Sequence, residues 1–192
     1  MTEEQGWIEA ARWGDAAAWE QLVHAHQQPI FRLAYLLLGD SDDAEDVAQE
    51  TFLRAYHALA GFDSARPLRP WLMRITTNLC HNWRRSVGRY LNVLQNVFNS
   101  EPPAASAASA VQQAEQNLET ETLWKAVRKL RPEDQQVIYL RYFLDCTEAE
   151  AAQVLGVAQG TVKSRSHRAL ERLRAVMQKE FPQMAQERSD VF

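Results

Sequence analysis

The sequence predicts an all-α protein, two small helical domains joined by a flexible linker, with a helix-turn-helix in the second. Three observations carry this. Apolar residues recur at helical spacing through most of the 192 residues, and few segments alternate with period two long enough to make a strand. Residues 101–116, EPPAASAASAVQQAEQ, begin with Pro-Pro and continue as an Ala/Ser/Gln run without large apolar residues to bury, as an interdomain linker does. Residues 147–173, TEAEAAQVLGVAQGTVKSRSHRALERL, combine a helix cap, a glycine turn and a basic second helix.

Asp15 suits the N-cap of a helix in which Trp19, Leu22, Val23, His26, Ile30, Leu33, Ala34 and Leu37 keep a 3.6-residue period. Pro29 falls inside that pattern and is expected to kink or split it, and Gly39 to end it. Ser41 or Asp42 starts the next helix, with Asp42, Asp43, Glu45 and Asp46 crowding its positive N-terminal end. Val47, Thr51, Ala55 and Leu59 form its inner stripe, and Phe52 packs either at a partner surface or in the core, the core being favoured. Residues 61–70 are a loop, and Pro70 suits the first turn of a third helix. Leu72, Ile75 and Leu79 face the core there, while Trp71, Arg74, Asn78, His81 and Arg85 share a second face. Residues 90–98 are apolar enough to dock on a neighbouring surface.

Beyond the linker, Leu123, Trp124, Val127 and Leu130 begin the second domain. Pro132 opens its next helix, which carries Val137, Ile138, Leu140 and Leu144. Thr147 and Glu150 then have capping-box spacing. Ala151, Ala152 and Leu155 give the first helix of the motif a small apolar face, and Gly156 supplies the tight turn. Val157 and Val162 anchor the second helix, whose buried stripe is Val162, Ala169, Leu173 and Val176. Thr161, Ser164, Arg165, Arg168 and Arg172 fall at offsets 0, 3, 4, 7 and 11 and share another face. Hydroxyls and guanidiniums on one exposed helix face suit base edges and phosphates in a major groove.

The net charge of −4 argues against a nucleic-acid partner only until its distribution is read. Residues 1–65 hold 12 acids and 3 bases, whereas residues 66–99 hold 6 arginines and no acid. Residues 160–179 hold 6 bases and 1 acid. Two basic islands in an acidic chain suggest two separate contacts with a polyanion, and the acidic parts suggest either a different, basic partner or avoidance of non-specific DNA binding. The first island, FDSARPLRPWLMRITTNLCHNWRR over residues 62–85, interleaves arginines, aromatics and amides. Single-stranded nucleic acid is held by such a mixture, with arginines on phosphates and aromatic planes on bases. A core role for Phe62, Trp71 and Trp83 with solvated arginines fits the composition equally well.

Other classes find little support. No apolar run approaches the roughly 18 residues needed to span a bilayer. The acidic start lacks the basic, then apolar, pattern of a secretory signal. Cys80 and Cys146 read as reduced thiols of a cytosolic protein, and neither has zinc-site neighbours. His24 and His26 read as polar residues on a helix surface rather than metal ligands. No nucleophile, base and oxyanion set can be assembled, so neither catalytic residues nor a cofactor or metal is expected.

The order of the pieces resembles the sigma-70 family of bacterial transcription initiation factors, in its small extracytoplasmic-function (ECF) branch. Residues 43–59, DAEDVAQETFLRAYHAL, followed by residues 62–85 are similar to the family's second conserved region, and residues 130–174 to its fourth. The resemblance covers about residues 19–85 and 123–174; with the composition break between them, the expected division is domains over residues 1–98 and 119–180, a linker over 99–118 and a tail over 181–192. It implies that Asp43, Glu45, Asp46, Gln49, Glu50 and Arg54 dock on the clamp helices of the largest polymerase subunit, with the flap of the second-largest subunit as a further contact. Arg66, Arg69, Trp71, Arg74, Asn78, Asn82, Arg84 and Arg85 match the part that melts and holds the promoter −10 element. Thr161, Lys163, Ser164, Arg165, His167, Arg168 and Arg172 match the helix that reads the −35 duplex. The implied partners are RNA polymerase core, promoter DNA and an anti-sigma factor, in the bacterial cytoplasm and without membrane insertion.

Two other functions stay open on the residues alone. A stand-alone helix-turn-helix repressor would use residues 147–173 but has no need of the Trp/Arg/Asn face in the first island. An adaptor holding a partner by the acidic helix would bind polymerase without directing promoter-specific transcription.

Overall fold

The computed structural model describes residues 2–98 and 122–180, with side chains described outside residues 87–98. Among these residues every regular element is helical, and they fall into two compact units. The linker expected at 99–118 and the tail at 181–192 lie outside the described residues. So do the side chains of the apolar stretch 90–98, whose backbone continues a long helix.

The first unit contains α1 (Glu3–Arg12), α2 (Ala16–Leu38), α3 (Ser41–Ala58), a 3₁₀ turn (Leu59–Gly61) and α4 (Leu68–Phe98). Helix α1 is a finding of the structure, because the sequence reading placed no helix there. It starts in a reciprocal cap, with Gln5 N donating to Thr2 Oγ1 at 3.3 Å and Thr2 N to Gln5 Oε1 at 2.8 Å. It buries Ile8 and Ala11. His26 of α2 meets the Glu4 carboxylate of α1 at 2.8 Å. That contact corrects the expectation for His26, which is buried at 7% exposure and is a core residue with a polar partner. His24 is exposed as expected.

Asp15 caps α2 by accepting from Ala17 N at 2.9 Å and Ala18 N at 3.1 Å. The helix runs unbroken through Pro29, contrary to the expected split. A proline inside a helix costs about 3 kcal/mol. The buried stripe on both sides of it, Leu22, His26, Ile30, Leu33, Ala34 and Leu37, offsets that cost. Gly39 ends α2 at φ 84°, where a side chain would be strained. Asp40, one residue before the expected start, caps α3 by accepting from Asp42 N at 2.9 Å and Asp43 N at 3.0 Å. Small buried residues on α3, Ala44, Ala48, Thr51 and Ala55 beside Val47, let it pack closely. Thr51 and Thr76 return their hydroxyls to their own helices and meet at 3.2 Å between α3 and α4.

Pro70 lies in the first turn of α4, as expected. The buried face of α4 is wider than one stripe. It holds Leu68, Leu72, Met73, Thr76, Thr77, Leu79 and Cys80, while Ile75 is only half-buried. Burial pushes the Cys80 thiol from 9.0 up to about 12, against the pull of the nearby Arg84 charge. Ellman's reagent at about pH 8 is therefore expected to modify Cys80 on the order of 10³-fold more slowly in the native chain than in denaturant. A fast native reaction would mean that this part of α4 opens readily. Because the folded value is the higher one, the stability that this thiol contributes is intact below pH 9.0 and is lost as pH rises toward about 12.

The second unit contains α5 (residues 122–128), α6 (Pro132–Ile138) with a π-helical continuation (Tyr139–Phe143), α7 (Glu148–Leu155) and α8 (Gln159–Glu180). Trp124 of α5 packs on Phe143 at 4.6 Å and Tyr139 at 6.1 Å between ring centroids. The wide turn closes by Leu144 N donating to Tyr139 O at 3.0 Å. Ala126, Val127, Leu130, Val137, Ile138, Leu140, Ala151, Val154, Val162 and Ala169 complete this core. Among the described residues, no helix is long and apolar enough to cross a membrane.

Candidate polymerase and nucleic-acid interfaces

On α3, packing of one face leaves the opposite face to water. Glu45, Asp46, Gln49 and Arg54 are exposed there, and Asp43 and Glu50 are half-buried. Arg54 pairs with Glu50 at 2.7 Å, and Gln49 Nε2 donates to Glu45 at 3.5 Å. Among the described residues no cation pairs with Asp42, Asp43, Glu45 or Asp46, so this end of α3 is strongly electronegative. Beside it runs a groove of about 510 Å³ lined by Ala16, Trp19, Val23, Gln49, Phe52, Leu53 and Tyr56. Phe52 forms its wall, half-buried and edge-on to Trp19 at 6.4 Å, rather than entering the core as expected. Tyr56 meets Trp19 at 5.2 Å, and Leu53 is 58% exposed. The sequence reading missed this groove. Its signal was the presence of Leu53 and Tyr56 on α3 beyond the single stripe that a helix needs to dock.

The segment between α3 and α4 is a structured turn. Phe62 N donates to Leu59 O at 3.1 Å, and Asp63 accepts from Ala65 N at 3.1 Å and pairs with Arg66 at 3.3 Å. Phe62 is buried against Trp71, with ring centroids 4.6 Å apart. The core reading thus holds for Phe62, while Trp71 and Trp83 are half-buried. Arg74, Asn78, Asn82 and Arg85 recur every three or four residues on α4 and are exposed, as are Arg66, His81 and Arg84. Arg69 is half-buried. Trp71 therefore sits at the edge of this polar face, with part of its ring committed to Phe62.

The helix-turn-helix is built from local signals. Thr147 and Glu150 exchange cap bonds at 2.7 Å and 3.2 Å. Gly156 takes φ 66° and Val157 N reaches Ala152 O at 3.1 Å, which closes the turn before α8. On α8, Val162, Ser166 and Ala169 are buried, and Leu173 and Val176 half-buried. Lys163, Ser164, His167 and Arg168 are exposed, and Thr161 and Arg165 half-buried. Arg168 Nε donates to Ser164 O at 3.1 Å, which orders its stem, and His167 faces Glu171 at 3.6 Å. Arg172 is exposed as well and has a partner within the unit. It donates at 2.5 Å to the carboxylate of Asp134, a residue 3% exposed in the first turn of α6.

The sigma-70 region 2 profile matches residues 22–90, and the sigma-70 region 4 profile matches residues 120–173. The chain belongs to the sigma-70 family. It is 37% identical over 172 residues to the ECF RNA polymerase sigma factor SigL of Mycobacterium tuberculosis, covering 89% of this chain and 95% of SigL, which puts it in the ECF branch. Its fold is similar to that of CnrH, solved in complex with the cytosolic domain of CnrY (TM-score 0.70, 27% identity, 93% of this chain and 99% of that one). It is also similar to the sigma factor RpoE of Bartonella quintana, solved with the anti-sigma factor NepR (TM-score 0.65, 27% identity, 84% and 97%). Members of this family are transcription initiation factors, not enzymes. In this sigma factor, α2 beyond its first turns, α3 and α4 up to residue 90 fall within the region 2 match, and α5 to α8 up to residue 173 within the region 4 match; α1 precedes both.

Proposed function

We propose that this sigma factor binds RNA polymerase core through α3, holds the −10 element as single strand on α4 and reads the −35 duplex with α8. Asp43, Glu45, Asp46, Gln49, Glu50 and Arg54 make the polymerase contact, where an acidic surface suits a basic partner. Arg66, Arg69, Arg74, Asn78, Asn82, Arg84 and Arg85 hold the unpaired strand, with Trp71 offering the exposed part of its ring for stacking. Thr161, Lys163, Ser164, Arg165, His167 and Arg168 face the duplex, and Arg172 serves chiefly to fix α8 against α6. Residues 1–98 and 119–180 act as the two domains, with 99–118 as linker and the polymerase flap as the second docking point. The observation that carries this reading is the exposure of an acidic and an arginine–amide face on separate helices of one unit.

The mechanism is binding without covalent chemistry. Contacts to polymerase and to duplex DNA raise the effective concentration of the first unit at the −10 element. Capture of unstacked bases offsets a melting cost of about 1.4 kcal/mol per base-pair step. The similarity to CnrH and RpoE, solved with CnrY and NepR, supports control of this chain by an anti-sigma factor, and its site of action is the bacterial cytoplasm.

In vitro transcription with polymerase core on a promoter library tests the reading. The chain is expected to select promoters sharing −35 and −10 elements, and output no different from core alone would overturn it. Asp46→Arg is expected to weaken core binding while changing stability by no more than about 0.5 kcal/mol, as exposed substitutions do. Unchanged affinity for core would remove α3 from the polymerase interface.

A further inference from the structure

Helix α1 lies outside both family matches, yet its contacts converge on one place. Arg12, 20% exposed in its side chain, donates through Nε to Leu59 O at 3.1 Å and through its other arm to Phe62 O. Glu9 holds the same guanidinium from the opposite side at 2.7 Å. Gln5 Nε2 donates to Ser64 O at 3.3 Å. A hydrogen bond from the Ser64 side chain, followed by the Arg12 charge, holds the Glu9 carboxyl below its usual range. Gln5 and Arg12, two turns apart on α1, thus grip three carbonyls of the turn that leads into α4, with Glu9 steadying the Arg12 guanidinium. The helix itself is locked to α2 by Ile8, Ala11 and the part-buried His26–Glu4 contact.

The gripped turn carries Arg66 and stacks Phe62 on Trp71 of α4, so its placement sets where Arg66 and Phe62 stand relative to Arg69, Trp71, Arg74 and Asn78 on that helix. We infer that α1 is a positioning element for −10 recognition, with Arg12 and Gln5 as positioning residues that hold residues 59–66 in register with the nucleic-acid face of α4. This rests on the reading of α4 as the −10 site. A guanidinium fork presents donors in a fixed plane that reach both Leu59 O and Phe62 O at once, whereas a lysine ammonium is a compact point charge without that fixed spread of donors. Selective capture of an unstacked base needs its pocket placed to within about 1 Å, and misplacement by that distance costs up to about 10²-fold.

The test is selection from a promoter library randomised across both elements, using polymerase core and the full chain. Arg12→Ala is expected to reduce base preference at −10 positions by about tenfold and to leave −35 preference unchanged. Arg12→Lys should fall between it and the parent chain. Gln5→Ala removes only the bond to Ser64 O and should shift the same positions by a smaller factor. A uniform loss of output with −10 preference intact would show that α1 serves only folding, and would overturn the inference. If Arg12→Ala does not fold, Gln5→Ala decides, and unchanged −10 preference in it overturns the inference. Absence of any −10 preference in the parent chain would overturn the underlying reading instead, and is visible in that arm alone.

Discussion

Arg172→Ala is expected to destabilise the second unit by about 2–3 kcal/mol, more than any single change on the exposed face of α8. Removing one partner of a buried ion pair costs about 3–5 kcal/mol, because the remaining charge stays desolvated. Here the stranded group is the Asp134 carboxylate, 3% exposed, while the Arg172 side chain is 43% exposed. Water can follow the missing guanidinium part of the way, and the N-terminal turn of α6 still favours an acid, which lowers the expected cost. Urea unfolding of the full chain, followed through Trp124 in that core, measures it. The double variant Asp134→Ala, Arg172→Ala should recover much of the loss, since no buried charge is then left alone. Unchanged stability in Arg172→Ala, together with weaker binding of all DNA sequences, would return the residue to the phosphate-contacting set.

Arg168→Ala is expected to weaken −35 duplex binding by about 1–3 kcal/mol and to relax preference at one base pair if the side chain reads a base edge. Arg168 is exposed, and its stem is ordered by the bond from Nε to Ser164 O, so little entropy remains to be lost on binding. Arg165, one residue beyond Ser164 and half-buried, should show the same pattern. Fluorescence anisotropy with duplexes carrying single substitutions across −35 separates the outcomes. A loss uniform across sequences, with the salt slope reduced by about 1, identifies a phosphate contact instead.

Local signals were legible in the sequence, and contacts between distant residues were not. The helix-turn-helix could be read because its determinants lie within a few residues: the Thr147–Glu150 cap, Gly156, and the spacing of Val162 and Ala169. Asp15 and Gly39 bounded α2 correctly for the same reason. Pro29 misled because tertiary burial on both sides of it outweighs a local penalty. Helix α1 was missed although its Thr2–Gln5 cap is a local signal, because the partners that hold it, His26 and the 59–64 turn, are remote in sequence. Arg172 shares an angular position with Thr161 and Arg168, but α6 passes beside that end of α8. Angle around a helix can be read from spacing, whereas the neighbour at a given height cannot. The half-burial of Phe52 and Trp71 has the same origin, since periodicity separates inside from outside but not a core from the wall of a groove.

The groove between α2 and α3 also bears on supply and demand in the cell. Trp19, Phe52, Leu53 and Tyr56 present apolar surface to water beside an acidic rim, and such a patch on an unaccompanied chain invites self-association. Copies made in excess of their partners are thus the ones most exposed to aggregation and to proteolysis, while a copy with the groove covered is protected.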